Sequence, residues 1–346
     1  MTIRRLNKSA RHHGGGRFLI VALATATLLA CADNSEPLHF GGEAQGSFYT
    51  VSYYDPQNRN LQSMVEEMLA RFDKSASLWV DSSLIRLVNS GTTDSLDGVL
   101  TELLRNSLQI EEYTEGAFNC RVGKLVQRWG FSFKQRQEPD SVELVELLRA
   151  AHAPIAIEGS RILRSDPTTE LDFNAIAQGY AVDLIAAAFD SIGIDSYLID
   201  VGGEVIARGY KSGHRPWRVG IEKPAADSIA APQVMTAVAL HDASIVTSGS
   251  YRKYYERDGV RYSHTIDPTT GRPVEHTLLS VTVVDDKCWL ADAMATAYMV
   301  MGFEKALSFI DAHQGEPGTK AVMFIYDDDG TLVTYQTPDF EKLIQK

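Results

Sequence analysis

The sequence predicts an α+β fold, with mixed sheets and packed helices. Segments rich in β-branched residues and segments with the spacing of amphipathic helices follow one another irregularly, whereas a doubly wound fold would alternate them. No repeat, Gly/Ser linker or low-complexity tract divides residues 40–346. With 44% hydrophobic residues, this chain of 346 residues can bury a large core in one big or two moderate domains.

The individual elements follow from local patterns. Apolar residues at positions 61, 64, 65, 68 and 72 have the spacing of one helical face, and Asn174 is predicted to cap a helix that ends near Asp190. Further helices are predicted at 97–114 and 140–152. Strands are predicted at Phe48–Tyr53, Tyr197–Val201, Trp217–Ile221, Val234–Leu240 and Leu279–Val284. A hairpin is predicted from Ala321–Tyr326, the turn Asp327–Gly330 and Leu332–Tyr335.

The first 30 residues have the pattern of a secretory signal. They carry five basic residues and no acidic one, and Phe18–Ala30 is apolar but short for a membrane span. The sequence Leu28-Leu29-Ala30-Cys31 resembles the lipobox of bacterial lipoproteins, which implies a lipid on Cys31; the alternative is an ordinary signal peptide with an incidental cysteine. We therefore predict a lipoprotein signal peptide at 1–30, a lipidated tether at 31–40 and the functional domain at 41–346. The protein would be anchored on the periplasmic side of a membrane, with the inner and outer membranes both open.

Charge and cysteine content restrict the possible partners and sites. Loss of the first 30 residues would lower the net charge from −12 to −17, so we predict that the protein does not bind nucleic acid. Any phosphate must then be bound locally, by a metal, backbone N–H groups or a few basic side chains. Besides Cys31 only Cys120 and Cys288 remain, too few for a disulfide scaffold or a zinc site. They form either one disulfide or two unpaired, partly buried thiols.

Two segments carry the strongest chemical signal. Residues 263–273 combine a turn at Asp267-Pro268 and Gly271 with several hydrogen-bonding side chains. Among these, His264 is either a general acid or base or a structural histidine. Farther along, Asp292 and Thr296 lie four residues apart in an Ala-rich helical pattern, so their oxygens share one face. Such oxygens suit Mg²⁺ and suggest phosphate chemistry, although an Asp and a Thr on one face can also be solvated or capping.

Other segments leave alternatives open or exclude classes. Gly202-Gly203-Glu204 either lets a ligand approach the backbone or forms a tight turn. Residues 247–251 either bind phosphate or ribose or form a polar loop. The sequence has no G-x-G-x-x-G after a strand, no Walker-type Gly-Lys-Ser/Thr and no G-x-S-x-G. Rossmann, P-loop and serine hydrolase sites are therefore not supported.

Taken together and in order, these segments resemble the ApbE family of bacterial flavin transferases from about Gly42 to about Gly302. The segments that carry the resemblance are Gly46–Tyr49, Ser77–Trp79, Ile85–Asn89, Gly116–Asn119, Trp129–Phe131, Asp172, Gly179–Asp183, Gly202–Glu204, Trp217–Ile221, Thr247–Gly249, 263–273 and 291–296. The resemblance implies an ApbE-like fold. It also implies Mg²⁺-dependent transfer of FMN from FAD to a threonine hydroxyl of an acceptor protein, with release of AMP.

The resemblance also implies roles for individual residues. Asp292 and Thr296 would ligate Mg²⁺ together with the backbone carbonyl of Ala175, and His264 would take or orient the proton of the acceptor hydroxyl. The FAD site would be lined by Gln45, Trp79, Ala117, Phe118, Asn119, Asp172, Gln178 and Ile266. Three of these depart from the family pattern: Asn119 replaces the usual Asp, Gln178 a frequent Lys or Glu, and Gln45 a common Met. These departures concern FAD affinity more than the class of reaction.

Two other functions remain open from the sequence. One is an Mg²⁺-dependent pyrophosphatase that hydrolyses FAD to FMN and AMP at the same site. The other is a non-catalytic FAD-binding lipoprotein, which would not need a metal beside the pyrophosphate. For the transferase, the expected partners are FAD, a membrane reached through the lipid anchor, and an acceptor with a Thr-containing motif, typically a subunit of a membrane redox complex.

Overall fold

The computed structural model describes residues 36–131, 138–224, 233–250, 254–257, 260–263 and 265–345, with 254–257 and 260–263 described by their backbone alone. The predicted signal peptide, Cys31 and His264 lie outside these residues. Within them, no helix combines the length and the apolar character that a membrane crossing requires.

The described chain contains both helices and strands, in irregular order. The helices are α1 (Gln62–Ala76), α2 (Leu84–Asn89), α3 (Gly98–Tyr113), α4 (Gly123–Arg128), α5 (Ser141–Ala151), α6 (Ala177–Ser191), α7 (Cys288–Met301), α8 (Phe303–Ala312) and α9 (Pro338–Glu341). The strands are β1 (Leu38–Ala44), β2 (Ser47–Tyr53), β3 (Ile155–Glu158), β4 (Arg161–Arg164), β5 (Tyr197–Val201), β6 (Glu204–Arg208), β7 (Trp217–Glu222), β8 (Val234–Leu240), β9 (Ala243–Gly249), β10 (Tyr254–Arg257), β11 (Val260–Ser263), β12 (Ile266–Asp267), β13 (Arg272–Pro273), β14 (Leu278–Asp285), β15 (Ala321–Asp328) and β16 (Thr331–Gln336).

One large sheet organises these elements. Its strand order is β1-β2-β5-β6-β9-β14-β15-β16, and every neighbouring pair in it is antiparallel. The pairs β3-β4, β7-β8, β10-β11 and β12-β13 form small two-stranded sheets. Helices and strands are therefore not arranged as repeated βα units, and the predicted α+β class is confirmed.

Both faces of the large sheet are covered. On one face, α6 and α7 pack against the central strands, and the main core contains Val182, Phe189 and Met294. On the opposite face, a second core is built around Trp217 and Phe340. Because both faces are covered, β14 is buried almost without interruption instead of alternating between buried and exposed residues.

Two predicted helices begin at aspartate caps. The Asp97 side chain accepts a hydrogen bond from the backbone N–H of Leu100 at 2.9 Å, and α3 starts at the next residue. The Asp140 side chain accepts from Val142 and Glu143, each at 2.9 Å, and α5 starts at Ser141. Each cap satisfies N–H groups that have no partner inside the helix. The helices predicted at 97–114 and 140–152 are confirmed to within one residue at each end.

The predicted cap of α6 is wrong. Asn174 lies in a turn three residues before the helix, and the residue before α6 is Ile176, which forms no side-chain cap. The backbone N–H of Asn174 donates instead to the Asp172 carboxylate at 2.8 Å. Asp and Asn form such turns as readily as they cap helices, and here the turn is preferred.

Three further sequence interpretations are resolved. Residues 243–249 form β9 in the large sheet, so residues 247–249 are strand and not polar loop, whereas binding of phosphate or ribose there stays a prediction. The last hairpin turns at Asp329-Gly330, both with positive φ, while Asp327 and Asp328 extend β15. Cys120 and Cys288 are both buried and free, which selects the two-thiol alternative.

Candidate active site

The helices α6 and α7 approach each other closely at Gly179. Its backbone N–H donates a hydrogen bond to Oδ2 of Asp292 at 3.1 Å. A Cβ added at Gly179 would lie 2.5 Å from the carbonyl oxygen of Cys288 and 2.9 Å from Cβ of Asp292. Since real Cβ atoms are not found so near a backbone oxygen, only glycine permits this contact.

Asp292 is a buried carboxylate, with 4% of its surface exposed. Burial raises the pKa of Asp292 to about 7, against the smaller opposing effect of the hydrogen bond from Gly179. In the described part of the chain it has no ion-pair partner that would offset the cost of burying its charge. A bound cation would supply that compensation.

The other two predicted metal ligands lie on α7 and in the turn just before α6. Thr296 is one helical turn beyond Asp292 on α7, and its hydroxyl is 3.2 Å from the Ser248 hydroxyl on β9. Ala175 lies in the turn just before α6, and no backbone N–H of the described chain bonds to its carbonyl. Gly179 is the third residue of α6, where a backbone N–H has no acceptor within the helix, and its N–H donates to Asp292.

This arrangement fits a hard cation with few protein ligands. A carboxylate, a hydroxyl and a carbonyl with no hydrogen bond from the described chain are the oxygen types that Mg²⁺ takes, the remaining positions being filled by water and substrate phosphate. Among the described residues there is no group of three or more His, Cys, Asp or Glu side chains that could hold a metal. The set predicted here contains a single carboxylate and is not a group of that kind.

Two predicted FAD contacts lie near the ends of β1 and α1. Gln45 occupies the two-residue turn between β1 and β2 with a φ of 52°, and its amide atoms are buried. Neither amide atom has a hydrogen-bond partner in the described chain. Burial raises the pKa of Asp73 on α1, and the nearby Gln45 amide opposes that shift. Trp79 follows the end of α1, and 58% of its surface is exposed. An exposed indole of this kind can stack on a flat ring system.

Asn119 uses both ends of its amide inside the protein. Its Nδ2 donates to the Ala151 carbonyl at 3.1 Å, and its Oδ1 accepts from the backbone N–H of Arg121 at 2.7 Å. A carboxylate at this position could not donate to Ala151, so Asn119 joins the segment after α3 to the end of α5. Ala117 and Phe118 directly precede it; Ala117 is half-buried and Phe118 is buried.

Asp172 connects this segment to the turn before α6. Its backbone N–H donates to the Cys120 carbonyl at 2.7 Å, and its carboxylate accepts from Asn174 at 2.8 Å. Burial raises the pKa of the Asp172 carboxyl, and the Asn174 hydrogen bonds oppose that shift. Asp172 therefore sets the path of the chain that leads to Ala175.

Gln178 lies against the predicted Gly202-Gly203 turn. A Cβ on Gly202 would be 2.3 Å from Nε2 of Gln178, and both glycines have positive φ. Gly202 also donates its N–H to the Phe48 carbonyl at 2.9 Å. The turn is therefore tight, as one alternative predicted, and the Gln178 amide lies close to its backbone; approach of a ligand to this backbone stays a prediction.

Ile266 lies on β12 and is buried in a small core. The members of this core are Leu125, Trp129, Leu144, Ala151 and Ile266. The predicted turn is present, since the Gly271 N–H donates to the Asp267 carbonyl at 2.8 Å. Two side chains hold the turn from outside: Trp129 Nε1 donates to the Gly271 carbonyl at 2.7 Å, and His152 Nε2 lies 3.0 Å from the Pro268 carbonyl.

The packing roles of Gly179 and Trp129 are not predicted from the sequence, although both residues lie in segments that carry the family resemblance. A signal was present for Gly179, since a glycine inside a helix costs about 1 kcal/mol relative to alanine and needs a packing reason. Nothing in the local pattern linked Trp129 to Gly271, which lies 142 residues away.

Comparison with known proteins gives one consistent result. The sequence profile of the ApbE family matches residues 45–323. The FAD:protein FMN transferase of Vibrio cholerae serotype O1 is 35% identical over 340 residues, which cover 94% of this chain and 99% of that protein. The FAD:protein FMN transferase of Escherichia coli K12 is 31% identical over 352 residues, covering 94% and 97%.

Solved structures agree with the sequence relatives. The apo flavinyl transferase ApbE of Pseudomonas stutzeri superimposes with a TM-score of 0.78 at 33% identity, covering 89% of this chain and 96% of that chain. The flavin transferase ApbE of Vibrio cholerae gives a TM-score of 0.77 at 31% identity, covering 89% and 99%.

Proposed function

We propose that this chain, which belongs to the ApbE family, carries out an Mg²⁺-dependent reaction at a threonine hydroxyl. The chain is a flavin transferase, and the reaction moves FMN from FAD to an acceptor protein. The observation that supports the metal most directly is the buried carboxylate of Asp292, which has no ion-pair partner in the described part of the chain. The Ala175 carbonyl also accepts no hydrogen bond from a backbone N–H of the described chain. Asp292, Thr296 and the Ala175 carbonyl would hold the ion.

The reaction then follows from what these residues can do. The threonine oxygen attacks the FMN phosphorus of the FAD pyrophosphate, and the bond from that phosphorus to the bridging oxygen breaks, so AMP leaves with that oxygen. A bound Mg²⁺ supplies charge neutralisation on the pyrophosphate as this bond breaks. The protein's part is to fix the pyrophosphate relative to the attacking hydroxyl, since positioning contributes much of the rate of phosphoryl transfer.

His264 is proposed as the group that takes or orients the hydroxyl proton. It precedes β12 by two residues, and the described part of its segment is fixed by Trp129 and His152. The eight predicted FAD contacts are proposed to bind the nucleotide and the flavin, with Trp79 stacking on a ring. His264→Ala should then lower the single-turnover rate, by about 10²–10⁴-fold for a positioned base, and leave the FAD dissociation constant nearly unchanged. Weaker FAD binding with a normal saturated rate would instead assign His264 to the turn.

Membrane anchoring is part of the same proposal. The Leu-Leu-Ala-Cys junction before Cys31 supports a lipid anchor, and the acceptor would be a subunit of a redox complex in the same compartment. The short tether would keep the enzyme near membrane-bound acceptors.

The test of function uses the protein without residues 1–30, with FAD, MgCl₂ and a membrane extract as the source of acceptor. Flavin fluorescence on a denatured acceptor band, sensitive to EDTA and restored by Mg²⁺, is the expected result. Free FMN and AMP without a labelled band would indicate hydrolysis, and unchanged FAD would indicate binding only. A label that survives EDTA would contradict the metal proposal, and a labelled residue other than threonine would contradict that assignment.

Variants locate the metal within this test. Asp292→Ala should abolish Mg²⁺-dependent transfer. Thr296→Ala should have a smaller effect and only raise the Mg²⁺ concentration that transfer requires, because a carboxylate offers a full charge and a hydroxyl only a dipole. Asp286→Ala is the matched control, since Asp286 is an exposed carboxylate two residues before α7. Calorimetric titration of each variant with Mg²⁺ in the presence of FAD measures binding apart from turnover. Unchanged Mg²⁺ binding by Asp292→Ala would remove Asp292 from the ligand set.

A further inference from the structure

A second contact joins α6 and α7 one helical turn away from Gly179 and Asp292. The carboxylate of Asp183, on α6, accepts hydrogen bonds from the backbone N–H groups of Cys288 at 3.1 Å and Trp289 at 2.9 Å. These are the first two residues of α7. One side chain of α6 therefore caps the beginning of another helix.

The sequence of α7 explains why this cap comes from outside. The residue before the helix is Lys287, whose backbone is extended with φ −114° and ψ 127°, as in an ordinary N-cap, but whose side chain makes no cap. Lysine has no acceptor oxygen, so the first N–H groups of α7 need a partner from elsewhere. A carboxylate also interacts favourably with the positive end of the helix dipole.

The two contacts are in register with each other. Gly179 and Asp183 are four residues apart on α6, and Cys288 and Asp292 are four residues apart on α7, so each pair lies on one helical face. The hydrogen bond of Gly179 with Asp292 and that of Asp183 with Cys288 thus form two successive contacts between the helices. The first contact is a single hydrogen bond to a carboxyl group, and the second consists of two hydrogen bonds to another carboxyl group.

We propose that Asp183 is a positioning residue for flavin transfer, because it fixes the first turn of α7 on α6 and so sets the register that holds Asp292 beside Gly179 and Ala175. The role of Asp292 in this sentence rests on the proposed metal site. Without Asp183, the Gly179–Asp292 bond would be the one hydrogen bond left between α6 and α7 in the described chain, and packing alone would fix the first turn of α7, so Asp292 could shift relative to the Ala175 carbonyl. Displacement of a reacting centre by about 1 Å can lower a rate about 10²-fold.

The competing explanation is that Asp183 stabilises α7 and nothing more. The chain offers a way to separate the two, because the extended backbone of Lys287 suits an aspartate N-cap. In Asp183→Ala/Lys287→Asp, the new side chain would cap α7 locally without any link to α6. Local capping is expected to restore helix stability but not the register.

The experiment compares the wild type, Asp183→Ala, Lys287→Asp and the double variant. It measures the melting temperature, the Mg²⁺ affinity of the FAD-loaded protein by calorimetry, and labelling of the acceptor band. For Asp183→Ala we expect a lower melting temperature, weaker Mg²⁺ binding and at least about tenfold slower labelling. The double variant should regain the melting temperature but neither Mg²⁺ affinity nor labelling rate. Recovery of all three, or normal labelling by Asp183→Ala, would overturn the proposal.

Asp183→Asn decides the matter if Asp183→Ala fails to fold or if Lys287→Asp does not restore melting. In the wild type Cys288 bonds to Oδ1 and Trp289 to Oδ2, so the asparagine puts an NH2 donor where one of these N–H groups needs an acceptor. Labelling should therefore be slowed while the fold is kept. Normal labelling by a folded Asp183→Asn would overturn the proposal. A wrong assignment of the metal site would show differently. Asp292→Ala would then bind Mg²⁺ normally, whereas the labelling rates and melting temperatures of the Asp183 variants would still test the role of Asp183.

Discussion

The backbone N–H of Gly179 and Oδ2 of Asp292 form a 3.1 Å hydrogen bond that brings α6 and α7 together at the candidate site. Gly179→Ala should therefore destabilise the protein and suppress transfer. Alanine favours a helix over glycine by about 1 kcal/mol, but here its Cβ would lie 2.5 Å from a backbone oxygen that can move only with α7. The clash should outweigh the helix propensity.

Thermal unfolding and acceptor labelling check this expectation. Gly98→Ala is the matched control, since Gly98 is the first residue of α3 and an added Cβ there meets nothing within 4 Å. The control should be neutral or slightly stabilising and fully active. A Gly179→Ala variant that behaves like Gly98→Ala would show that the close approach of α6 and α7 is not needed.

Asp292→Asn should stabilise the metal-free protein, and more strongly at high pH. Burial raises the pKa of Asp292 to about 7 from a value of 3.8 for an unperturbed carboxyl. Between these values the folded state holds a proton that the unfolded state has lost, so stability falls as pH rises. The penalty is absent below about pH 4 and complete above about pH 7, where it reaches at most about 4 kcal/mol.

Urea unfolding in EDTA, compared at about pH 5 and about pH 8, measures this difference. The asparagine side chain of Asp292→Asn would keep the shape of the carboxyl group and an acceptor for Gly179, so packing should change little. Asp286→Asn, which removes a carboxylate at an exposed position, is the control. A free-energy difference between wild type and Asp292→Asn that is the same at both pH values would contradict a buried, titrating Asp292.

How much of this site the sequence predicts depends on the distance between partners along the chain. Asp292 and Thr296 were placed on one helical face because they are four residues apart, and the structure puts both on α7. The turn at 267–271 followed from Pro268 and Gly271 in the same local way. The Gly179–Asp292 contact joins residues 113 apart, and one sequence does not state which helices pack together.

The wrong assignment of Asn174 has a related cause. An asparagine side chain is favoured both in turns and at helix starts, so the local sequence does not decide between the two. The Asp172 carboxylate decides here by accepting the backbone N–H of Asn174, and the backbone N–H of Asp172 donates to the Cys120 carbonyl. That contact with Cys120 is again distant in sequence. Local chemistry therefore limited the options, and tertiary contacts selected among them.

Cys120 should resist alkylation in the folded protein. Burial raises the pKa of its thiol to about 12, so almost no thiolate exists near pH 8 and the sulfur is also inaccessible. In a Cys31→Ser background, iodoacetamide should label neither thiol of the native protein and both thiols after unfolding without reductant. Fewer than two labelled thiols in the unfolded, unreduced sample would instead indicate a Cys120–Cys288 disulfide.

Cys31→Ser should release the enzyme from the membrane without loss of transferase activity. The motive is the Leu-Leu-Ala-Cys junction, which lies outside every element of the candidate site. Fractionation followed by labelling of an extract measures both properties. A variant that stays in the membrane fraction would contradict lipidation at Cys31, whereas a released but inactive variant would contradict the independence of anchor and site.

Trp129→Phe should weaken FAD binding more than it slows the bound enzyme. Trp129 Nε1 donates to the Gly271 carbonyl at 2.7 Å and so holds the turn that follows Ile266, a proposed FAD contact. Phenylalanine keeps most of the apolar contact but leaves that carbonyl without its donor, at a cost of about 1–3 kcal/mol. The expected result is a higher FAD dissociation constant, a lower melting temperature and a saturated rate close to that of the wild type.

Trp217→Phe provides the control because it loses the same kind of bond on the opposite face of the sheet. Trp217 Nε1 donates to the Arg208 carbonyl at 3.0 Å, within the second core. Its loss should lower the melting temperature by a similar amount and leave FAD affinity unchanged. If both variants lost FAD affinity equally, general destabilisation would explain the effect. If only Trp129→Phe did, the turn after Ile266 would be part of the FAD site, and Trp129 would act on the flavin substrate through the backbone it holds.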